Sequence, residues 1–467
     1  MTVPHPTSRD TPASFFGAYD IRGRYPEELG PSEIRRLGAA LIERDRGPMV
    51  IGRDVRRESR TVERILLRTF RRLGCQVVRL GVQPTPVVGF SARYLGCPGF
   101  SLTASHNAPG YIGIKGFRST GRLFSREWTR IRRSYLHPDL AFSSPANRNP
   151  PREQRLAAGN APPRCIRAYL EHVTQGLRSS LKVVVDGRGG ATTRVAPAAL
   201  RRMGVRPIVL HPQFSSRFFG LSPEPTAANC RDLGAAVRET GAAFGVAFDG
   251  DGDRVAFVDD RGKWTEPEAI ALFLYRKLSN PRRPLVASVD ASYRCEEQVP
   301  TVRVRVGGRF VTAAMRSFRA NVGFEPSGHY YLPRWDPSSD GILITCILAH
   351  LVGKSGDPFH SLSAAFGAIF REHCALEYED RDHATRAYAR IQHRFKRDLE
   401  RLPDGVVLRR PEGTVLIRTS NTQPAVRLTL EARNRRGLGE LRRFLRPVFN
   451  DVDRTTPGSR VEKWAEP

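Results

Sequence analysis

Apolar positions along the chain fall into two recurring patterns, a helical period of three to four residues and short continuous runs, and the two alternate over most of its length. Ile34, Leu37, Leu41 and Ile42 share one face of a helix predicted over residues 33–46, with Ser32 as its cap. Residues 49–51 read as a short strand closed by Gly52, Arg53 and Asp54. Val62, Ile65, Leu66, Phe70 and Leu73 mark a second amphipathic helix, with Gly74 suited to its C-terminal cap. A strand over 76–80, a helix over 86–95 and the buried strand Phe100-Ser101-Leu102 follow. The pattern starts again with strands over 182–186, 206–210 and 244–248, between which lie helices ending near Met203 and spanning 228–240. It returns a third time, with strands over 255–258, 285–289, 302–306 and 322–324 and helices over 267–278, 310–320 and 340–351. Residues 133–163 are rich in Pro, Asn, Ser and Arg and read as an irregular segment ending at a linker.

Strands alternating with helices predict mostly parallel sheets with helices on their faces. From about Cys374 the pattern changes to a long basic helix (384–402), hairpin-like strands near 406–408, 415–417 and 426–430, and a helix over 438–449. The fold class expected is therefore α/β: three α/β domains, over 1–150, 151–258 and 259–372, and a C-terminal α+β domain over 373–467.

At 467 residues and 40% hydrophobic content the chain can build several cores. It has no run of 18 or more apolar residues, so no membrane span is expected. Residues 1–10 carry no apolar signal core, which points to a cytoplasmic protein. The seven cysteines include no CxxC pair, as expected of reduced thiols rather than a structural zinc site. The formal charge of +28 raises nucleic-acid binding. Yet the basic residues are spread through all regions, with no long basic tail and no recognisable nucleic-acid module. An arginine-rich composition with a preference for anionic substrates is the expected reading, and nucleic acid is not expected as the main partner.

Candidate chemistry sits where strands end, as ligand sites do in open α/β sheets. Ser105 follows the strand at 100–102 on a small, polar run, with His106 beside it and Lys115 near enough to return to the same place. That arrangement suits a serine that accepts and passes on a group. Asp249, Asp251 and Asp253 alternate with Gly250 and Gly252, a run that can fold around one hard cation such as Mg²⁺. An EF-hand is excluded, because the sixth position of the loop is Arg254 where that turn needs glycine. Arg254 could hold a substrate phosphate or hydroxyl. Glu325, Ser327 and His329 offer an acid, a hydroxyl and an imidazole suited to vicinal sugar hydroxyls. Arg418, Ser420, Asn421 and Thr422 join two strands and supply the parts of an oxyanion cradle. A nucleophile, a cation site, a polyhydroxyl loop and a phosphate loop together describe phosphoryl transfer on a sugar phosphate.

Five segments in order resemble the motifs of the α-D-phosphohexomutase family, closest to its bacterial phosphomannomutase/phosphoglucomutase branch. They are YDIRG (19–23), TASHN (103–107), DGDGDR (249–254), EPSGH (325–329) and RTSNTQP (418–424). The resemblance implies three related α/β domains and a smaller fourth around a central active-site cleft. It implies that Ser105 is the phosphoryl carrier and that Asp249, Asp251 and Asp253 bind Mg²⁺ with a phosphoserine oxygen of Ser105. Lys115 and His329 match groups for proton transfer and positioning, and Arg22, in the motif that begins at Tyr19, lies close to the reacting phosphate. Tyr19, His106 and Arg254 are expected to face the substrate. Glu325 and Ser327 match the sugar-hydroxyl loop, and Arg418, Ser420, Asn421 and Thr422 the loop that grips the non-reacting phosphate. The implied activity interconverts mannose or glucose 6- and 1-phosphates through a hexose 1,6-bisphosphate. The alternatives are phosphoglucosamine mutase, or a divergent sugar-phosphate-binding relative without turnover. Hexose phosphates are the expected partners, and the protein is expected as a monomer or homodimer. The spelling DGDGDR rather than DGDADR favours mannose or glucose over glucosamine. Ala108, Ile112, Gly308 and Gln423 depart from the usual pattern.

Overall fold

The computed structural model describes residues 15–17, 20–42, 47–137, 161–396, 398–420, 424–455 and 460–461. The chain forms two compact units, one of Met1–Thr265 with Gly328–His360 and one of Glu266–Ser327 with Ser361–Pro467.

In the first unit, β1 (Ile21–Arg24), β2 (Met49–Arg53), β3 (Val77–Val82), β4 (Gly99–Leu102) and β5 (Tyr111–Phe117) make a sheet in the order β1-β5-β4-β2-β3. The β3, β2 and β4 strands are parallel, but β5 runs antiparallel to β4, and β1 to β5. Helices α1 (Pro31–Leu41), α2 (Arg57–Arg72) and α4 (Arg126–Leu136) cover one face, and their apolar sides share a core with Ile51, Phe100 and Ile114. On α3 (Thr85–Leu95), Phe90 meets Tyr169 of α5 (Ala161–Thr174) edge to face at 5.6 Å. The second sheet is ordered β10-β9-β8-β6-β7, from β6 (Lys182–Asp186), β7 (Arg206–Leu210), β8 (Phe244–Phe248), β9 (Val255–Val258) and β10 (Trp264–Thr265). Here too β9 runs antiparallel to β8. The expected mostly parallel sheets are thus mixed. The physical reason is loop length: residues 103–110 and 249–254 are too short for a crossover and can only turn the chain back.

Several expected elements shift. The first helix begins at Pro31 behind Gly30, and Ser32 lies inside its first turn, where its hydroxyl binds Glu33 rather than capping. Its expected end at 43–46 lies outside the described residues. The irregular segment starts later than expected, because α4 continues to Leu136 and α5 begins at Ala161.

The stretch Gly328–His360 adds the helix Gly341–Ser355, which is buried over most of its surface and capped by Asp340 through the N–H groups of Ile342 and Leu343. Asp340 also accepts the Tyr169 hydroxyl, and the nearby Asp336 accepts the Ser338 N–H at 3.0 Å and lies 3.4 Å from the Arg93 guanidinium. Burial, then the charge of Asp340, pushes the Asp336 carboxyl up to about 7, and burial lifts Asp340 to about 6. A carboxyl whose pKa is raised by folding adds stability below its unfolded pKa and loses it as pH rises through the folded value. Stability should therefore decline between about pH 4 and pH 7. Asp336→Asn should flatten that decline, giving a higher melting temperature than the wild type at pH 8 but not at pH 5. Parallel melting curves of the two proteins across this window would contradict the assignment.

In the second unit β12 (Thr301–Val304), β11 (Leu285–Ser288) and β13 (Gly323–Glu325) run parallel. The C-terminal part is a sheet of β15 (Phe370–Glu377), β16 (Leu399–Leu402), β17 (Gly405–Arg410), β18 (Gly413–Thr419), β19 (Ala425–Ala432) and β20 (Arg460–Val461) in the order β16-β17-β18-β19-β15-β20, with its core closed by the helices Arg381–Arg394 and Arg435–Thr455. The expected helix over 384–402 stops at Arg394. Leu399–Leu402 forms β16 instead, in a hairpin with β17 (Gly405–Arg410), where Pro403 and Asp404 supply turn chemistry. All seven cysteines are free and buried. Among the described residues no single helix is long and apolar enough to cross a membrane.

Candidate active site

Ser105 lies in the β4–β5 turn, buried, with a left-handed backbone at φ 53°. For a residue with a Cβ that conformation is strained and needs fixing by its surroundings. The fixing group is Arg56, which is fully buried. Its guanidinium donates to the carbonyls of Ser105 (2.9 Å), Asn107 (2.5 Å) and Ala108 (2.8 Å) and to the Asp54 carboxylate (3.0 Å). Asp54 also accepts the hydroxyls of Ser59 and Thr103, and Thr103 in turn accepts the Ser105 N–H. Sequence reasoning missed this clamp. The run Gly52-Arg53-Asp54 read only as the end of a strand.

The Ser105 hydroxyl donates to Asp249 at 2.6 Å. Asp249 begins the β8–β9 turn, and its other oxygen accepts the N–H groups of Gly252 and Arg254. Two glycines let this loop sit where it does. A Cβ on Gly250 would come within 2.5 Å of the Ser105 carbonyl oxygen. Gly252 has φ 79°, and a Cβ there would meet the Thr192 methyl at 2.3 Å.

Asp249, Asp251 and Asp253 are buried, and each offers a carboxylate oxygen within 4.8 Å of the others. Burial and the charges of Asp251 and Asp253 push Asp249 well above the usual carboxylate range. Burial also works against Asp253, but Lys115 and His329 hold it well below that range. Lys115, on β5, donates to Asp251 at 2.8 Å and Asp253 at 2.5 Å. Burial works against its charge too, and the three aspartates still keep it above the ordinary lysine value. Thr85 donates to the oxygen of Asp251 that Lys115 contacts, while the other Asp251 oxygen is buried without a hydrogen-bond partner. One ammonium against three buried carboxylates, with an oxygen left over, is a donor set that fits a hard divalent cation.

Around this centre, Arg22 donates to the Asn107 side chain at 2.5 Å and to Asp20 at 2.7 Å. His106 lies 3.3 Å from the Ser105 hydroxyl. Burial, then the charges of Arg254, Arg22 and Lys115, takes its imidazole down to about 2, so it is neutral and a weak base. His329 is 3.6 Å from Asp253 and stacks on Tyr331, and Arg254 reaches Glu224 at 3.4 Å. The first unit thus brings together Ser105, Lys115, the three aspartates, Arg22, His106, Arg254 and His329. Ile112, one of the departures, is a core residue of β5 opposite Gly23.

Glu325, Ser327, Arg418 and Ser420 belong to the second unit. Glu325 ends β13, buried, and accepts the Gly307 N–H at 2.7 Å, with Ser327 two residues on. Arg418 near the end of β18 (Gly413–Thr419) stands directly across from Arg427 of β19 (Ala425–Ala432). Like charges facing each other across a ladder repel, and a bound anion relieves that repulsion. Burial, then Arg418, lowers the Arg427 pKa. Sequence reasoning missed Arg427; strand alternation after the RTSNTQP loop was the signal that could have found it. Ser420 donates its N–H to the Ala425 carbonyl. Tyr19, Asn421 and Thr422 lie outside the described residues.

The α/β/α domains I, II and III of the phosphoglucomutase/phosphomannomutase family match residues 13–139, 167–262 and 269–370 in succession. The chain belongs to the phosphoglucomutase/phosphomannomutase family. It is accordingly a phosphohexomutase-type isomerase, with three α/β domains and a C-terminal domain. The probable phosphoglucosamine mutase of Methanothermobacter thermautotrophicus is 32% identical over 433 residues, 90% of this chain and 94% of that protein. The phosphoglucosamine mutase of Moorella thermoacetica is 31% identical over 460 residues, 94% of this chain and 99% of that one. A phosphoglucomutase/phosphomannomutase family protein from Burkholderia thailandensis has the same fold, with a TM-score of 0.79 at 24% identity, covering 96% of this chain and 99% of that chain.

Proposed function

We propose that this family member moves a phosphoryl group between the 6- and 1-positions of a hexose phosphate through a phosphoserine at Ser105, and that its preferred sugar is glucosamine phosphate. The observation that supports the carrier role is the Ser105 hydroxyl, 2.6 Å from Asp249 on a loop held rigid by Arg56. The sugar follows the relatives, two of which are phosphoglucosamine mutases or probable ones. The opposing hint is the spelling DGDGDR, whose Gly252 has a positive φ and lies against the Thr192 methyl.

In the forward half-reaction the Oγ–P bond of phosphorylated Ser105 breaks as a sugar hydroxyl forms a new O–P bond. The hydroxyl proton passes to His329, and the Lys115 ammonium supplies the proton that Ser105 Oγ takes up as its phosphoryl group leaves. The hexose 1,6-bisphosphate so formed reorients, and its other phosphoryl group returns to Ser105. Mg²⁺ on Asp249, Asp251 and Asp253, when bound, neutralises phosphoryl oxygen charge. Arg22 lies beside the Ser105 loop as a second positive donor. His106, neutral and weakly basic, serves as a hydrogen-bond partner rather than as the base. Glu325 and Ser327 are assigned to the sugar hydroxyls, and Arg418, Ser420, Asn421 and Thr422 to the distal phosphate, with Arg427 added. Tyr19 and Arg254 are assigned to the substrate as well.

A coupled assay with Mg²⁺ and a trace of hexose 1,6-bisphosphate, comparing glucosamine, mannose and glucose 1-phosphates, tests the reading. Turnover should be greatest with glucosamine 1-phosphate and should vanish on chelation. A preference for mannose or glucose would replace the sugar and leave the mechanism standing, whereas no turnover on all three would overturn the mutase itself. Arg427→Gln should raise KM for the sugar phosphate about 10- to 100-fold, the value of a charge-assisted hydrogen bond to phosphate, with a smaller change in kcat. An unchanged KM would remove Arg427 from the phosphate site.

A further inference from the structure

Several of the chain's arginines lie together on one helical layer of the first domain. Helices α1, α2 and α4 lie together over one face of the sheet, with Leu37, Leu66 and Ile131 in their shared core. On α2, Arg57, Arg60, Arg64, Arg68 and Arg71 recur every three or four residues. That spacing puts all five on one side of the helix, away from the buried Val62, Leu66 and Phe70, and all five are exposed. At 1.5 Å per residue the row is roughly 21 Å long. Arg64 reaches only the Thr61 hydroxyl, and among the described residues no carboxylate pairs with any of the five. Exposed positions on the flanking helices add Arg35, Arg126 and Arg130.

Such a row works against its own helix, because like charges one turn apart repel. An extended polyanion laid along the row would relieve that repulsion. Its chemistry can be narrowed further. Among the described residues the exposed large hydrophobics are Tyr94, Leu136, Phe219 and Phe318, and none lies on α2. A protein partner would be expected to find aromatic or aliphatic anchors at the centre of its contact, and a bilayer to find apolar side chains to take up. A phosphodiester backbone needs neither. It offers anionic groups at regular intervals, which guanidinium groups bind in bidentate fashion without reading sequence. We propose that the α2 arginine row is a sequence-independent docking surface for the backbone of a nucleic acid, separate from the Ser105 site. The chain needs no recognisable nucleic-acid module for this, since backbone contact is made by charge alone.

The test uses the full-length protein and a fluorescent random-sequence DNA duplex, with anisotropy read from 50 to 200 mM salt. The wild type should bind at the low end. The combined change Arg57→Gln, Arg60→Gln, Arg64→Gln, Arg68→Gln and Arg71→Gln should weaken binding at least roughly tenfold at intermediate salt. It should also reduce the slope of log affinity against log salt by up to about 4.5, at about 0.9 per phosphate contact. Glutamine suits a helix, so melting temperature and mutase turnover should stay as in the wild type. The milder pair Arg60→Gln and Arg64→Gln should lower the slope by up to about 1.8 and covers the case in which the larger variant fails to fold. The proposal is overturned if the wild type does not bind the duplex at 50 mM salt, or if neither variant changes the slope. It is equally overturned if polyglutamate or phosphatidylglycerol vesicles bind the row as tightly as the duplex, which would make it a site for acidic protein or lipid.

Discussion

Replacing Ser105 with alanine should lower mutase turnover by more than about 10⁴-fold while leaving the protein folded. The size of the effect follows from the role. A nucleophile that carries the transferred group cannot be replaced by positioning or by a cation, because there is no second atom for the phosphoryl group to occupy. The hydroxyl donates to Asp249 at 2.6 Å and lies 3.3 Å from His106, so the loop stays in place and only the acceptor atom disappears. Alanine at φ 53° carries the same backbone strain as serine, so no large stability change is added. Intact-mass analysis should find a phosphoryl adduct on the wild type after incubation with hexose 1,6-bisphosphate and none on the variant. Turnover above about one per cent of wild type in Ser105→Ala would sink the phosphoserine mechanism, whatever the preferred sugar.

The second large effect is expected at Arg56. Arg56→Met leaves Asp54 buried without its ion pair and three carbonyls of the Ser105 loop without their donor. Breaking a buried pair by removing one partner costs about 3–5 kcal/mol, and urea unfolding should show a loss of that order. Catalysis should fall as well, chiefly in kcat, by roughly 10²-fold, because the loop that sets the Ser105 backbone is no longer held. Arg56→Lys should recover little. An ammonium cannot serve a carboxylate and three carbonyls laid out around a planar fork. Pairing Arg56→Met with Asp54→Asn should restore part of the stability but not kcat, since the carbonyls remain unserved. Wild-type kcat in a folded Arg56→Met protein would show that the clamp has no bearing on the reaction.

Arg56 also marks where sequence reading stops. In the sequence it is one arginine among many, just ahead of an amphipathic helix, and an exposed position would have been the ordinary expectation. Its burial depends on carbonyls about fifty residues further on, Ser105 lying 49 positions along the chain. The same holds for β1, which looks like a run of turns because its backbone partners lie in β5, and for Leu399–Leu402, whose helical composition yields to pairing with β17. Arg427 and the exposed row on α2 are plain strand and helix residues until register and packing say which groups they face.

What the sequence determined by itself is local. The apolar periods located the strands over 182–186, 206–210 and 244–248 and the helix over 267–278 at the bounds observed. They do so because alternation and the helical repeat arise from neighbours a few residues apart. The glycine-separated aspartates announced a cation loop, and the ordered motifs announced the family. The tertiary structure decided everything that joins distant residues: the contact of Ser105 with Asp249 across 144 positions, that of Lys115 with Asp253 across 138, the mixed order of the sheets, and the gathering of arginines on one layer. Those contacts depend on which elements pack together, and no short-range pattern in a single chain records that choice.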